Sequence, residues 1–436
     1  MSNDSKNAST NKQPSRWLVI FCLIFAGELI FGLPFHVIRY FRPTFHEVFN
    51  LTNAQLGDAF AVYGVTAMLS YFPGGIIADR FSARKLMSFS LVATAFGGIY
   101  MATIPSQTGL AMLFAYWGIT NILLFWSAML RSTRKWGGKL AQGRAFGMLD
   151  GGRGLVSAGV ATVAVFFLAN LLPTNVESAS TAERELALKS VIWFYSTLTF
   201  IAALAVWFFI PDTKMERTKL NPFKGIKEVL KKRSTWLQGI IIVCAYCGYR
   251  GIDFYGLYGT DILGMDEVRA ARFVSNGTFL RPVAAIGAGF LADRFSTKKV
   301  ILITFLLLML SYIAFLFLSL NPAVFGFIVG NLVFTFIAVY ALRGVYFALF
   351  EETQVQSHLT GTTIGVVSFI GFTPDIFFNS VAGRILDASP GINGYQNFYA
   401  LLSTFALIGL LSSFLLMRHN SNRLSKNNEI LFSKRK

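Results

Sequence analysis

Charged side chains inside long apolar stretches are the residues of this sequence best suited to chemistry. A charge at the centre of a lipid bilayer costs roughly 2.5–3.5 kcal/mol by insertion scales, so it persists only where it faces protein, water or a ligand. Groups held in this way can pair with one another, bind an anion or carry a proton. They are Glu28, Arg39, Asp150, Arg153, Arg250, Asp253, Arg281, Arg343 and Asp375.

Arg250 is the strongest candidate for binding an anionic solute. It lies about 21 Å along a helix that begins near Trp236, at ~1.5 Å per residue, and glycines flank it. A guanidinium group can hold a phosphate or a carboxylate through two parallel hydrogen bonds. Asp253 lies one helical turn further on the same face, so a structural ion pair is the alternative role.

Glu28 is a candidate for proton coupling, and so is Asp253. Glu28 lies near the middle of the first apolar stretch. A carboxyl group buried there favours its protonated form, which suits a proton carrier. The alternative is a structural role as the partner of Arg281 or Arg343, two arginines that could also contact the solute.

The remaining charges favour an anionic solute and one internal ion pair. Asp150 and Arg153 open the fifth apolar stretch, and their spacing predicts that they pair with each other. Arginines slightly outnumber carboxylates among the groups expected to face a route through the membrane. These are Arg39, Arg250, Arg281 and Arg343 against Glu28, Asp253 and Asp375.

Membrane-spanning helices would position these residues. Of 436 residues, 54% are hydrophobic and 14% are charged, whereas about 25% are charged in a typical soluble protein. The apolar residues come in blocks of about 20, enough to cross ~30 Å of hydrocarbon as a helix. The composition predicts an all-α membrane protein. Cys22, Cys244 and Cys247 lie in apolar stretches without a supporting ligand set, so they are predicted to be small buried residues, and no metal or other cofactor is predicted.

The apolar blocks predict 12 transmembrane helices in two sets of six. The spans are 17–41, 56–78, 86–104, 109–130, 145–170, 189–210, 236–263, 272–292, 300–319, 323–350, 360–383 and 397–417. The corresponding organisation is an N-terminal tail (1–16), a first bundle (17–210), a linker (211–235), a second bundle (236–417) and a basic tail (418–436).

The positive charges predict the orientation of the chain. The net charge is +17, and only four arginines fall on the side opposite the termini, namely Arg42, Arg184, Arg269 and Arg384. Cytoplasmic loops carry an excess of Lys and Arg, so both termini are predicted to be cytoplasmic. The basic residues then face anionic lipid in the bilayer, and a nucleic-acid partner is not expected.

A short charged motif occurs once in each set. Gly75-Ile-Ile-Ala-Asp79-Arg80-Phe-Ser-Ala-Arg84-Lys85 follows the second span, and Gly289-Phe-Leu-Ala-Asp293-Arg294-Phe-Ser-Thr-Lys298-Lys299 follows the eighth. The repetition predicts two related halves. A carboxylate at such a helix end can accept hydrogen bonds from a neighbouring helix N-terminus or an arginine while that side is closed.

The doubled motif, the twelve spans and the basic central loop resemble the major facilitator superfamily. The resemblance covers the chain from about Trp17 to Arg418. It implies two six-helix bundles around a cavity at the middle of the bilayer, which open alternately to the two sides, in a monomer. It also implies a gating role for Asp79, Arg80, Arg84, Asp293 and Arg294.

A second, narrower resemblance concerns the seventh span. Tyr249-Arg250-Gly-Ile-Asp253-Phe is similar to the organophosphate:phosphate antiporter branch. This similarity implies that Arg250 contacts an anionic group, together with an arginine at matching depth in the first span. Arg39 lies nearer the outer surface than that depth, and His36 is closer to it. Both are candidate substrate-binding residues, and the alternative for Arg39 is a side chain that snorkels to the interface.

Together these features predict a secondary active transporter in the cytoplasmic (inner) membrane. The expected substrate is a small anionic metabolite, whose transport is driven by proton symport or by anion exchange. One alternative is a proton-coupled exporter of organic compounds, which the absence of proline between Gly143 and Asn170 disfavours. Another is a transporter-like solute sensor. Enzymatic activity is not predicted, and direct nucleotide hydrolysis is not expected because the sequence lacks a phosphate-binding Gly-Lys-Ser/Thr loop.

Overall fold

The computed structural model describes residues 15–138, 142–212, 225–317, 325–349 and 360–433. The N-terminal helices are α1 (Arg16–Leu29), α2 (Val37–Phe49), α3 (Asn53–Arg80), α4 (Ala83–Met101), α5 (Gln107–Gly118), α6 (Ser127–Gly137), α7 (Gln142–Leu171) and α8 (Thr181–Phe209). The C-terminal helices are α9 (Ile226–Leu230), α10 (Arg233–Gly251), α11 (Tyr255–Asp261), α12 (Glu267–Thr278), α13 (Leu280–Phe295), α14 (Thr297–Phe317), α15 (Phe325–Val345), α16 (Thr360–Gly371), α17 (Pro374–Ala388) and α18 (Ile392–Ser433).

Each predicted span is mostly helical over its described residues, and these ranges contain no strand. By length and hydropathy alone, eight helical stretches qualify as membrane spans, or ten if each of two bent pairs counts as one span. The less apolar spans 86–104 and 272–292 correspond to α4 and to α12 with α13. The three cysteines are buried, as predicted. Of the predicted tails and linker, residues 1–14, 213–224 and 434–436 lie outside the described part of the chain.

The first span is broken and longer than predicted. A wide π-type turn at Gly32–His36 separates α1 from α2, with a bend of 42°. Pro34 in this turn lacks the N–H that a regular helix would use, which explains the break. Gly32 faces the ring of Tyr195, and a Cβ there would lie 2.8 Å from a ring carbon. Helix α2 continues to Phe49, beyond the predicted end at residue 41.

The seventh span is also interrupted, by a 3₁₀ turn at Ile252–Phe254 between α10 and α11. Breaks of this kind free backbone groups and aim side chains away from a regular helical register, so they recur where a helix lines a ligand cavity. The two interruptions bring Glu28, His36, Arg250 and Asp253 to the middle of the molecule.

Helices α3 and α17 join the N-terminal and C-terminal helices at close range. A Cβ on Gly64 would lie 2.5 Å from the carbonyl carbon of Asp375, and Gly57 and Gly383 are equally close to the opposing backbone. Without side chains at these positions, the two helices can approach backbone to backbone. This crossing places Asp375 beside the central cavity.

Polar contacts seal the end of the molecule that carries Asp58, which we call the Asp58 end. Arg384 on α17 contacts Asp58 on α3 at 2.8 Å. Arg184 on α8 contacts Glu267 on α12 at 2.6 Å. Asp387 on α17 accepts hydrogen bonds from the first backbone N–H groups of α3, at 3.1 and 2.8 Å. All three contacts join an N-terminal to a C-terminal helix.

The opposite end, which carries Asp79 and is called the Asp79 end, has a different contact pattern. Within the described ranges, Asp79 lies 4.0 Å from Arg131 and Arg84 contacts Asp212 at 2.9 Å. Both contacts stay among the N-terminal helices and the residues that follow them. The structure is therefore a conformation in which the two sets are tied together at the Asp58 end.

Candidate functional site

A cavity lies between the N-terminal and C-terminal helices, near their middle. Aromatic rings form much of its wall, including Phe31, Phe35, Trp126, Tyr246 and Tyr249. The charged and titratable residues that line it are Glu28, His36, Arg39, Arg153, Arg250, Arg343 and Asp375. Most of the candidate residues from the sequence thus meet at one place.

Glu28 is the centre of one group of charges. Its carboxylate accepts hydrogen bonds from Arg153 Nε at 2.9 Å and from Arg281 Nη1 at 3.3 Å. His36 Nε2 lies 3.3 Å from the same carboxylate. Helices α1, α7 and α13 supply the three charges, so this group ties the two sets of helices together. The structural alternative for Glu28, a pair with Arg281, describes its present geometry.

The predicted pair between Asp150 and Arg153 is wrong. Asp150 instead contacts Arg281 Nη2 at 2.8 Å, and Arg153 contacts Glu28. The i,i+3 spacing permits an internal pair, but α13 presents Arg281 between the two carboxylates. A guanidinium group with five donors can satisfy both of them at once.

Asp253 is the centre of a second group. It contacts Arg39 Nε at 2.5 Å and Arg250 Nη1 at 3.3 Å. Arg39 also donates to the hydroxyl of Tyr249 at 2.6 Å. Only 2% of Arg39 is exposed, so the alternative that it snorkels to the membrane interface is wrong. His36 and Arg39 both line the cavity.

Arg250 lies between two carboxylates. Besides Asp253, it contacts Asp375 on α17, with 2.5 Å between Nη2 and Oδ1. Tyr246 donates a further hydrogen bond to Asp375 at 3.2 Å. The guanidinium group of Arg250 also lies 4.2 Å from the centre of the Phe35 ring. Asp375 appeared in the sequence only as one more charge within a span, and its pairing with Arg250 was missed.

Arg343 differs from the other arginines of the cavity. Its guanidinium carbon lies 3.8 Å from the centre of the Tyr249 ring. Within the described chain, no carboxylate forms an ion pair with it. Among the described residues, Arg39 Nη2 and His36 Nδ1 at the cavity also lack a hydrogen-bond partner, as does Nε of the neighbouring Arg281.

Among the described residues, the charges of the site do not balance. The arginines are Arg39, Arg153, Arg250, Arg281 and Arg343, and the carboxylates are Glu28, Asp150, Asp253 and Asp375. With His36 neutral, one positive charge remains in excess. An arrangement of this kind can accept an anion without creating net charge in a low-dielectric region.

The predicted gating residues lie away from this cavity. Asp79, Arg80, Asp293 and Arg294 are exposed at the Asp79 end. Arg294 lies 5.5 Å from the centre of the neighbouring Phe295 ring. Among the described residues, no ion pair joins them to the other set of helices.

Comparison with known proteins agrees with this architecture. The sequence profile of the Major Facilitator Superfamily matches residues 17–377. The inner membrane protein YihN of Escherichia coli K12 is 30% identical over 434 residues, which cover 94% of this chain and 97% of YihN. The nitrate/nitrite transporter NarU of the same organism is 25% identical over 339 residues, or 73% of this chain and 67% of NarU.

A solved structure supports the fold. The crystal structure of the nucleoside transporter NupG (D323A mutant) superimposes with a TM-score of 0.71 at 13% identity, covering 92% of this chain and all of that one. At this level of identity the likeness concerns the fold. The chain therefore belongs to the Major Facilitator Superfamily and is a multi-pass inner-membrane transporter rather than an enzyme.

Proposed function

We propose that this chain moves a small organic anion across the inner membrane by alternating access. The observation that carries the proposal is Arg343, a cavity arginine without a carboxylate partner among the described residues. Arg343 is half-buried in a cavity with aromatic walls, where a charge is costly unless it is compensated. An anionic solute would supply the missing negative charge, with Arg39 and Arg250 as further donors.

The relatives and the cavity wall support a solute of this kind. The name of NarU refers to nitrate and nitrite, which are small anions. The rings of Tyr246, Tyr249 and Phe372 line the cavity beside the arginines, so an organic body can pack against them while its anionic group contacts guanidinium. His36, Arg281 and Arg343 complete the proposed binding set.

Alternating access requires the contacts at the two ends to form in turn. In this proposal, residues 17–210 and 236–417 move as two bundles, and both termini lie in the cytoplasm. The Asp58 end then faces outward. When the Asp79 end closes, Asp79, Arg80, Arg84, Asp293 and Arg294 would exchange their present contacts for partners on the opposite bundle.

Two coupling modes fit the ion pairs of the site. A bound anion competes with Glu28 for Arg281 and with Asp253 for Arg39, and a carboxylate released in this way can take up a proton. This sequence of events would give proton symport. Alternatively, the excess positive charge of the empty site disfavours reorientation of the unloaded carrier. Only the carrier with a bound anion then reorients, which would give anion exchange.

The test begins with purified protein and a thermal-shift screen of phosphorylated sugars, carboxylates, amino acids, nitrate and nucleosides. We expect stabilisation by anions and not by neutral nucleosides. Proteoliposomes then distinguish uptake driven by a pH gradient from counterflow against internal anion. Arg343→Gln should abolish the anion response, whereas Arg269→Gln, which removes an exposed arginine paired with Asp266, should not. Binding without accumulation would refute transport.

A further inference from the structure

Four basic residues lie between the cavity and the Asp58 end. His36 is the last residue of the π-type turn, and Arg39, Arg42 and His46 follow on α2, which is kinked between Arg39 and Arg42 by the non-helical backbone of Phe41 (φ −121°, ψ 29°). His36 and Arg39 belong to the central site. His46 donates a hydrogen bond from Nδ1 to the carbonyl of Leu51 at 2.8 Å, just before α3 begins. Arg42 lies between the site and that end.

Arg42 is fully buried, at 0% exposure. Its Nε donates to His46 Nε2 at 3.3 Å, and its Nη1 donates to the backbone carbonyl of Asp253 at 3.5 Å. The guanidinium carbon lies 3.8 Å from the centre of the Phe254 ring. Within the described part of the chain, its Nη2 has no hydrogen-bond partner. Among the described residues no carboxylate forms an ion pair with Arg42, since the Asp253 carboxylate is taken by Arg39 and Arg250.

Such an arrangement is unusual because buried polar groups normally have partners and buried charges are normally paired. A buried arginine without a carboxylate partner among the described residues points to a ligand or to another conformation that uses it. The contacts of Arg42 cross from α2 to the turn at Ile252–Phe254, that is, from the N-terminal to the C-terminal helices. They must separate when the two sets move apart at the Asp58 end.

We propose that Arg42 is a second anion-binding position, which is occupied when the Asp58 end is open. In that conformation the ion pairs Arg384–Asp58 and Arg184–Glu267 are broken and water reaches Arg42. An oxyanion group, carboxylate or phosphate, then binds Nη1 and Nη2 before it reaches Arg39, three residues nearer the cavity. The proposal rests on the proposed function, because it assigns the anion a place on its path.

The experiment measures the reactivity of Arg42 with a phenylglyoxal, an arginine-specific reagent, by peptide mass spectrometry of the full chain. Wild type is compared with the double variant Asp58→Asn/Glu267→Gln, which weakens both ion pairs at the Asp58 end. Partly exposed pairs contribute up to about 1 kcal/mol each, so we expect Arg42 to react about tenfold faster in the variant. Inorganic phosphate should slow this reaction in proportion to its concentration.

Two controls make every outcome decisive. Arg269 lies at the same end with its side chain 76% exposed, and it should react in both proteins without protection. Thr44→Cys reports opening through its reaction with a maleimide, because Thr44 is buried two residues from Arg42. Protected labelling of Arg42 supports the proposal. Labelling of Arg42 without protection by phosphate overturns the proposal. Reaction of the cysteine with the maleimide while Arg42 does not react also overturns it. If neither position reacts, Arg42 stays sealed with both ion pairs broken, which also contradicts the proposal.

The outcome is separable from that of the proposed function. Labelling and protection of Arg42 require neither transport nor Arg343, whereas the proposed function is tested by the anion response at Arg343 and by uptake into proteoliposomes. A chain that transports anions but leaves Arg42 unprotected would refute this inference alone.

Discussion

Replacing Asp375 with asparagine tests whether Arg250 binds a ligand for which Asp375 competes. Asp375 accepts two close contacts from Arg250, at 2.5 and 2.7 Å, and one from Tyr246 at 3.2 Å. Asparagine keeps the shape of the side chain and one acceptor but removes the charge. The variant therefore weakens the ion pair without leaving a cavity.

The expected effects on stability and on binding have opposite signs. Breaking a buried ion pair costs about 3–5 kcal/mol when the remaining charge has no other partner. Arg250 retains Asp253 at 3.3 Å and a neutral acceptor, so we expect a loss of about 1–3 kcal/mol. The excess positive charge of the site rises from one to two, and an anion near Arg250 should bind at least about tenfold more tightly, which corresponds to ~1.4 kcal/mol.

The assay is a thermal-unfolding titration of purified protein with an anion found in the initial screen. Asp375→Asn should unfold at a lower temperature without ligand and should reach half-maximal stabilisation at a lower anion concentration. Asp266→Asn is the matched control, because it removes the same charge from an exposed pair with Arg269. Asparagine also caps a helix as well as aspartate does, so α12 keeps its N-cap, and neither quantity should change.

One result would refute the reasoning. If Asp375→Asn loses the expected stability but binds the anion equally or less tightly than wild type, Arg250 acts as a structural ion-pair partner. The carboxylate would then organise the site rather than compete with the solute.

Three other expectations follow from the same geometry. Glu28→Gln should abolish uptake driven by a pH gradient and leave counterflow measurable, since Glu28 is the proposed proton carrier; full pH-driven uptake by this variant in proteoliposomes would rule that role out. Gly64→Ala should weaken the crossing of α3 and α17 by about 1–3 kcal/mol, because its Cβ would lie 2.5 Å from the Asp375 backbone, so maleimide labelling of Thr44→Cys should rise. Gly159→Ala, which has open space around it, is the control. Equal labelling in the two variants would contradict the idea. Asp79→Cys and Asp293→Cys should react with an impermeant maleimide from the same face of the membrane, and labelling from opposite faces would overturn the two-bundle topology.

Hydropathy predicts most of the helices but not the depth of residues near their ends. The first span is predicted to end at residue 41, and the polar residues Arg42, His46 and Glu47 follow it. Helix α2 nevertheless runs to Phe49, since the C-terminal helices cover its basic face. Arg39, counted along a shorter span, therefore seemed to approach the outer surface although it lies in the cavity.

The candidate site was predictable as a set of residue types rather than as a set of partners. A charged residue within an apolar stretch can be recognised from a single sequence, and this signal identified both Glu28 and Arg250. Which charges pair depends on how helices far apart in the chain approach one another. Arg281 reaches Asp150 from α13, and Asp375 reaches Arg250 because Gly64 lets α17 come close. Neither of these contacts between helices can be predicted from the spacing of residues along the chain.

The carboxylate of Asp387 has a consequence for how the Asp58 end opens. It holds the first N–H groups of α3 from across the boundary between the two sets of helices. Once the sets part, those donors can be satisfied only by solvent. Opening and hydration are therefore a single event at this end. Conditions that lower water activity, such as a high concentration of an excluded osmolyte, should slow the opening of the Asp58 end and not that of the Asp79 end.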